Sequence, residues 1–231
     1  MSKNKLHKFN EMETFANVFQ PEFDSVFRNT CDLKGSWSKH FKNNNPIVLE
    51  LGCGKGEYTV NLAQSFPNKN FIGVDIKGAR IWKGAKFATE NNLPNAAFLR
   101  TRIEFINSCF DVNEISEIWV TFPDPQLKKK RASKRLTSSG FLNKYKLLLQ
   151  PNGIIHLKTD SKELYDYTMG VLSFNNITPT QNTDNLYNSE ILNEYLNIKT
   201  FYEEQFLGIG KRITYIQFRL NNESLNEPPQ E

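Results

Sequence analysis

Apolar and polar residues alternate in blocks along this chain, and the blocks predict a regular succession of elements. Pro46–Leu51 (PIVLEL) is a short β-branched run that stops at glycines and reads as a buried strand. Residues 57–66 follow with helical periodicity up to Pro67, 70–75 (NFIGVD) form a second strand, and 79–91 a second helix. Residues 96–99 are a weaker third strand, and 115–122 (ISEIWVTF) a fourth, halted by Pro123. A helix over 138–149, with Ser138 or Ser139 as N-cap, ends at Pro151-Asn152-Gly153. Residues 154–158 are a fifth strand and 162–174 the next helix. Five strand-then-helix units predict an α/β domain with a doubly wound, mostly parallel sheet.

The rhythm changes beyond residue 175. Residues 176–200 are polar and irregular, while 211–219 (KRITYIQFR) alternate apolar with polar, as an antiparallel edge strand does. Residues 1–45 are expected to be an N-terminal extension, partly flexible, 46–220 the main domain, and 221–231 (NNESLNEPPQE) a disordered tail.

Composition narrows the class. The 231 residues, 39% hydrophobic and 23% charged, are ordinary for a soluble globular protein. No apolar run approaches the roughly 20 residues that span a bilayer, and the basic N-terminus MSKNKLHKFN lacks the apolar core of a secretory signal. Cys31, Cys53 and Cys109 follow neither disulfide nor zinc spacing, and His7, His40 and His156 make no ligand set. A cytoplasmic protein with no metal and no membrane contact is expected. The net charge of +4 names no partner, but its distribution says more. Lys128, Lys129, Lys130, Arg131, Lys134 and Arg135 stand within eight residues. An isolated run of this kind reads as solvated surface; next to a ligand site it suits a polyanion.

Glycines close the first strand in Glu50-Leu51-Gly52-Cys53-Gly54-Lys55-Gly56. A phosphate-cradling loop requires G-x-x-x-x-G-K-[ST], and Gly56 follows Lys55, so that reading fails. A dinucleotide fingerprint requires G-x-G-x-x-G, which fits poorly. The pattern E-x-G-x-G-x-G resembles the first motif of class I S-adenosyl-L-methionine-dependent methyltransferases. That resemblance implies a Rossmann-like, seven-stranded sheet with an antiparallel C-terminal edge strand. An acid at the end of the first strand, Glu50, suits the cationic methionine portion of that cofactor, directly or through water. Asp75, ending the second strand, suits a ribose diol. Arg102 falls where many relatives carry Asp at the adenine.

The stretch Thr121–Leu136 (TFPDPQLKKKRASKRL) follows the fourth strand. Two prolines restrict the backbone around Asp124, reducing the entropy lost in fixing its carboxylate. FPDP followed by a Lys/Arg run, with ELGxGKGE upstream, resembles the tRNA (guanine-N7-)-methyltransferase family. The likeness runs from about Glu50 to the C-terminal strand, through Lys158-Thr159-Asp160 and Thr200-Phe201-Tyr202-Glu203. It implies methyl transfer to N7 of guanosine 46 in the tRNA variable loop. It also implies site residues: Glu50, Gly52, Gly54, Asp75, Arg102 and Asp124 for the cofactor, with Asp124 also catalytic. Lys128, Asp160, Thr200 and Glu203 are implied at the substrate, and Lys130, Arg131, Lys134 and Arg135 on the RNA. Many members read FPDPWPKKRHxKRR; here Gln126-Leu127 and Ala132-Ser133 replace the tryptophan and histidine positions. Two other readings stand beside this one: a class I methyltransferase acting on another RNA base or on protein, and a non-catalytic RNA-binding protein on the same scaffold. A monomer or a homodimer is expected.

Overall fold

Ile47–Leu51 (β2) is buried along its whole length, and so are the first five residues of Asn70–Asp75 (β3) and the first four of Ala96–Arg100 (β4). Runs buried on both faces belong inside a parallel sheet. The computed structural model describes residues 3–229 and resolves two compact units dividing at Ile115. This division falls inside the stretch expected as one main domain.

In the first unit the strand order is β1-β4-β3-β2, all parallel, with Val18–Phe19 (β1) at the edge. The register pairs Glu50 with Gly73 and Asp75 with Arg100, which sets both acids at carboxyl ends of strands. The helices Glu57–Ser65 (α4) and Gly78–Glu90 (α5) follow β2 and β3 as expected. The N-terminal extension is built into this unit. Helix Lys3–Met12 (α1) packs on α5, where Glu11 accepts hydrogen bonds from Trp82 Nε1 (2.7 Å) and Lys86 Nζ (2.6 Å). Two short helices, Phe23–Phe27 (α2) and Trp37–Phe41 (α3), complete the segment. The buried Trp37 ring stacks on Phe110 and donates to the Cys109 carbonyl at 2.9 Å.

In the second unit the order is β5-β6-β8-β7, from Ile115–Thr121 (β5), Leu149–Thr159 (β6), Thr214–Phe218 (β8) and Gln181–Thr183 (β7). The expected antiparallel C-terminal strand is β8, which pairs Tyr215 with Lys158 and Thr214 with Thr159. A further antiparallel strand, β7, lies outside it. The described residues therefore hold eight strands, one more than expected. Two of them, β1 and β7, have two and three residues, too few to leave a periodic signal in the sequence. Helices Ser139–Leu148 (α6) and Lys162–Phe174 (α7) flank β6, and Phe201–Gly208 (α8) precedes β8.

The C-terminal tail departs from its expectation of disorder. Leu225 is buried, and Asn143 on α6 brackets it with two hydrogen bonds of 2.9 Å. Glu227 accepts the Ser139 backbone N–H at the start of α6 (2.7 Å) and the Tyr167 hydroxyl. A carboxylate at a helix N-terminus meets both an orphan donor and the positive dipole end. Polar composition hid this anchor. Residues 230 and 231 of the expected tail lie outside the described residues.

Candidate active site and nucleic-acid interface

The glycine loop owes its alternation to backbone geometry. Gly52, Gly54 and Gly56 have φ of +81°, +56° and +70°, a left-handed region that costs side-chain-bearing residues about 1–2 kcal/mol each. The turn is tied to β3 by Gly52 and Cys53 N–H groups donating to the Val74 carbonyl. The three glycines have different surroundings. A Cβ on Gly56 would stand 2.4 Å from Phe98, whereas one on Gly54 would meet nothing nearer than the Gly52 carbonyl at 4.0 Å. Gly56 is there for packing; Gly54 faces open space that a ligand can use. Gly73 and Gly84 also permit close approach, to Thr59 and Cys53 and to the Lys55 carbonyl, roles without a motif to announce them.

Both acids organise this loop. Glu50 is buried, and one carboxylate oxygen accepts the Thr59 N–H (2.9 Å) and the Thr59 hydroxyl, anchoring the first turn of α4. Asp75 accepts the Gly54 N–H (3.0 Å) on one oxygen and the Lys77 N–H (2.8 Å) on the other. It is half-buried and ends β3 beside the open Gly54. Arg102 is exposed, pairs with Glu104 at 3.1 Å and lies over the Phe105 ring. The Cys53 thiol is pushed well up by burial and by the nearby Glu50 and Asp75 charges, so it stays protonated and fills space.

In the second unit β5 ends in a strained turn. Phe122 and Gln126 both have positive φ, +46° and +48°, around the Pro123-Asp124-Pro125 segment. Such positions persist only where surroundings over-determine them. Here the Phe122 N–H donates to the Lys158 carbonyl (2.8 Å) and Asp124 Oδ1 accepts the Gln126 N–H (3.0 Å). Arg135 completes the clamp, donating to the Pro125 and Gln126 carbonyls at 3.2 and 3.3 Å while its guanidinium lies over Tyr167. Asp124 itself is exposed.

The basic tract therefore divides. Lys129–Lys134 is a 3₁₀ helix, and the side chains of Lys128, Lys130, Arg131 and Lys134 are exposed without a partner among the described residues. Arg135 is half-buried and committed to the Asp124 turn. Four unpaired cations thus stand exposed on one short helix and its cap, and Arg135 holds the turn beside them.

The remaining predicted residues lie around β6. Asp160 follows its last residue and pairs through Oδ2 with Lys211 at 2.6 Å. Thr200 and Glu203 form a capping box on α8, the Thr200 hydroxyl accepting the Glu203 N–H and the Glu203 carboxylate accepting the Thr200 N–H. Glu203 is wholly buried. Its carboxylate also binds Lys158 Nζ at 2.8 Å and the Tyr187 hydroxyl at 2.6 Å. Lys158, equally buried, donates in addition to the carbonyls of Leu196 and Ile198. The part of the irregular stretch around Leu196 and Ile198 is thus tied to β6 by this lysine, while β7 within the same stretch pairs with β8. The exposed residues of this motif are its neighbours Phe201 and Tyr202.

His156 has a packing role. Its ring stacks on Trp119 at 3.9 Å, its Nδ1 lies 2.6 Å from the Tyr215 hydroxyl, and Nε2 lies 3.1 Å from Glu117. Among the described residues no group of His, Cys, Asp and Glu side chains could hold a metal ion, and no helix is long and apolar enough to cross a membrane.

A family model described as "Putative methyltransferase" matches residues 44–216. The tRNA (guanine-N(7)-)-methyltransferase of Christiangramia forsetii is 54% identical over 95% of this chain and 99% of its own. The enzyme of the same description from Bacteroides fragilis is 51% identical over 99% of this chain and 90% of its own. Among solved structures, the 16S rRNA methyltransferase KamB superposes with a TM-score of 0.60 at 13% identity, covering 80% of this chain and 92% of that one. The 16S rRNA (adenine(1408)-N(1))-methyltransferase from Catenulisporales acidiphilia gives 0.57 at 12% identity, covering 86% and 95%. The fold is thus the Rossmann-like class I methyltransferase fold, and the extent and level of sequence identity place the chain in the tRNA (guanine-N(7)-)-methyltransferase family.

Proposed function

We propose that this protein transfers a methyl group from S-adenosyl-L-methionine to N7 of guanosine 46 in the variable loop of cytoplasmic tRNA. The observation that carries the reading is the Asp124 turn, where an exposed carboxylate on a strained, clamped loop is followed by four unpaired cations. One ligand with a base that becomes positive and a backbone that is negative would use both.

The glycine loop suits the cofactor on its donor set. Asp75 offers carboxylate lone pairs beside the open face of Gly54, fitting a ribose diol, and the G-x-G-x-G spacing is not that of a pyrophosphate-binding turn. Glu50, fully enclosed, orders the loop and adds negative charge on the side where a sulfonium or ammonium would lie. When bound, S-adenosyl-L-methionine supplies an already activated methyl group.

Guanine N7 bears an in-plane lone pair and no proton, so the protein needs no general base. Its tasks are alignment and charge stabilisation. The purine gains positive charge as the bond to N7 forms, and a fixed carboxylate stabilises that state more than the ground state. Asp124 is assigned this field. Asp160 is assigned the N1–H and N2 amino edge of the base, which its Oδ1 can accept while Oδ2 stays with Lys211. Thr200 and Glu203 shape the Phe201-Tyr202 turn, which is assigned to the substrate side.

Nucleoside analysis of unmodified tRNA incubated with protein and cofactor tests the reading. 7-Methylguanosine is expected. A different methylated base would move the protein to another specificity, and no methylation with no cofactor binding would leave an RNA-binding module. Neutralising Lys128, Lys130 and Arg131 together is expected to weaken tRNA binding and to flatten the slope of log affinity against log salt by about 2–3, since each phosphate contributes roughly 0.7–0.9. Cofactor affinity should hold. Equal salt slopes for variant and parent would remove the tract from the interface.

A further inference from the structure

A cleft of about 310 Å³ lies at the carboxyl end of β6, lined by Asp160, Lys162, Asp184, Lys211, Arg212 and Thr214. Its charged side chains are three cations and two carboxylates. Lys211 is taken by Asp160 at 2.6 Å, its ammonium also resting over the Phe206 ring. Lys162 is taken by Asp166, one turn further along α7. The Thr214 hydroxyl donates to the Thr159 carbonyl. Arg212 has no side-chain partner among the described residues and is exposed. Asp184 is exposed in the same cleft and makes no side-chain bond to Arg212. The cleft therefore presents an unbonded guanidinium between two carboxylates, of which Asp160 is held in one orientation by Lys211 with its second oxygen unused.

That pairing of groups selects a ligand with a donor edge at one end and an anion at the other. A nucleotide whose base offers adjacent N–H groups meets both requirements. A phosphodiester accepts two parallel hydrogen bonds from a guanidinium, the geometry in which arginine differs most from lysine. We propose that Arg212 binds a backbone phosphate of the nucleotide whose base edge Asp160 reads. The inference rests on the tRNA reading above and adds to it a phosphate subsite outside the Lys128–Lys134 tract.

Arg212→Ala and Arg212→Lys test it, since an exposed, unbonded side chain can be replaced without disturbing the fold; an unchanged melting temperature checks this. For Arg212→Ala the expected result is tRNA affinity lowered about tenfold and the salt slope reduced by about one phosphate's share, 0.7–0.9. The kcat at saturating tRNA should change less than about twofold, as for binding shared by ground and transition states. Arg212→Lys should keep the parental salt slope and recover only part of the affinity, because a point charge replaces a fork. Unchanged affinity and slope in Arg212→Ala would overturn the subsite alone. A kcat loss without an affinity loss would also overturn it. A parent protein that binds no tRNA would overturn the tRNA reading and this inference together.

Discussion

Replacing Lys158 with alanine is expected to leave the Glu203 carboxylate buried without its counter-charge and to destabilise the protein by about 3–5 kcal/mol in urea unfolding. The pair is fully enclosed, and each partner holds further groups in place: Lys158 the Leu196 and Ile198 carbonyls, Glu203 the Tyr187 hydroxyl and the α8 cap. The double replacement Lys158→Met with Glu203→Leu removes both charges and both desolvation costs. It should still cost less than Lys158→Ala alone, because what it leaves unpaired are neutral groups, the Leu196 and Ile198 carbonyls, the Tyr187 hydroxyl and the Thr200 N–H, rather than a buried charge. A double variant as unstable as the single one would show that the enclosed charges are not the source.

The pair also sets a pH dependence. Burial holds the Lys158 ammonium below its ordinary pKa, although Glu203 pulls it upward. The folded state then binds fewer protons than the unfolded state, so stability rises with pH from the folded pKa up to the unfolded value of 10.5. Glu203→Gln removes the upward pull and widens that window downward. As pH rises toward 10.5 the variant should gain more stability than the parent. Tyr187, raised by burial and by Glu203, acts in the opposite direction only above its unfolded pKa of 10.0. Parallel pH profiles for variant and parent would contradict the assignment.

Asp124→Asn is expected to lower kcat about 100-fold, the scale of losing one preorganised electrostatic group at a reacting centre. The substitution is informative because asparagine retains an oxygen for the Gln126 N–H, so the strained turn survives while the charge is lost. Tight tRNA binding should persist, carried by cations elsewhere. Full kcat in this variant would contradict the electrostatic role.

The strands β2 to β6 and β8 and the helices α4 to α7 were legible because their apolar runs end at glycine or proline, as at Gly52 and Pro123, whereas the short β1 and β7 and the helices α1 to α3 and α8 were not. The glycine loop was legible for a similar reason: three left-handed positions force three glycines. What the sequence hid depended on contacts between distant residues. Leu225 and Glu227 sit in a stretch whose composition suggests disorder, yet α6 and Tyr167 pin them. Arg135 is one of six cations in the tract from 128 to 135, but its position relative to Pro125 makes it part of the turn. Glu203 has the composition of a solvated helix charge; its partner Lys158 lies 45 positions away on β6, in a motif that gives no sign of the pairing. Within the candidate site, residue types were readable, whereas which of them are enclosed was not.

Methylation of one atom on one nucleotide defines the proposed reaction. Its most direct test is transfer of labelled methyl to two tRNA transcripts that differ only in guanosine or adenosine at position 46, with the products resolved as nucleosides. One equivalent of 7-methylguanosine in the guanosine transcript and none in the adenosine transcript is the predicted result. Equal labelling of the two transcripts, or a product other than 7-methylguanosine, would contradict it.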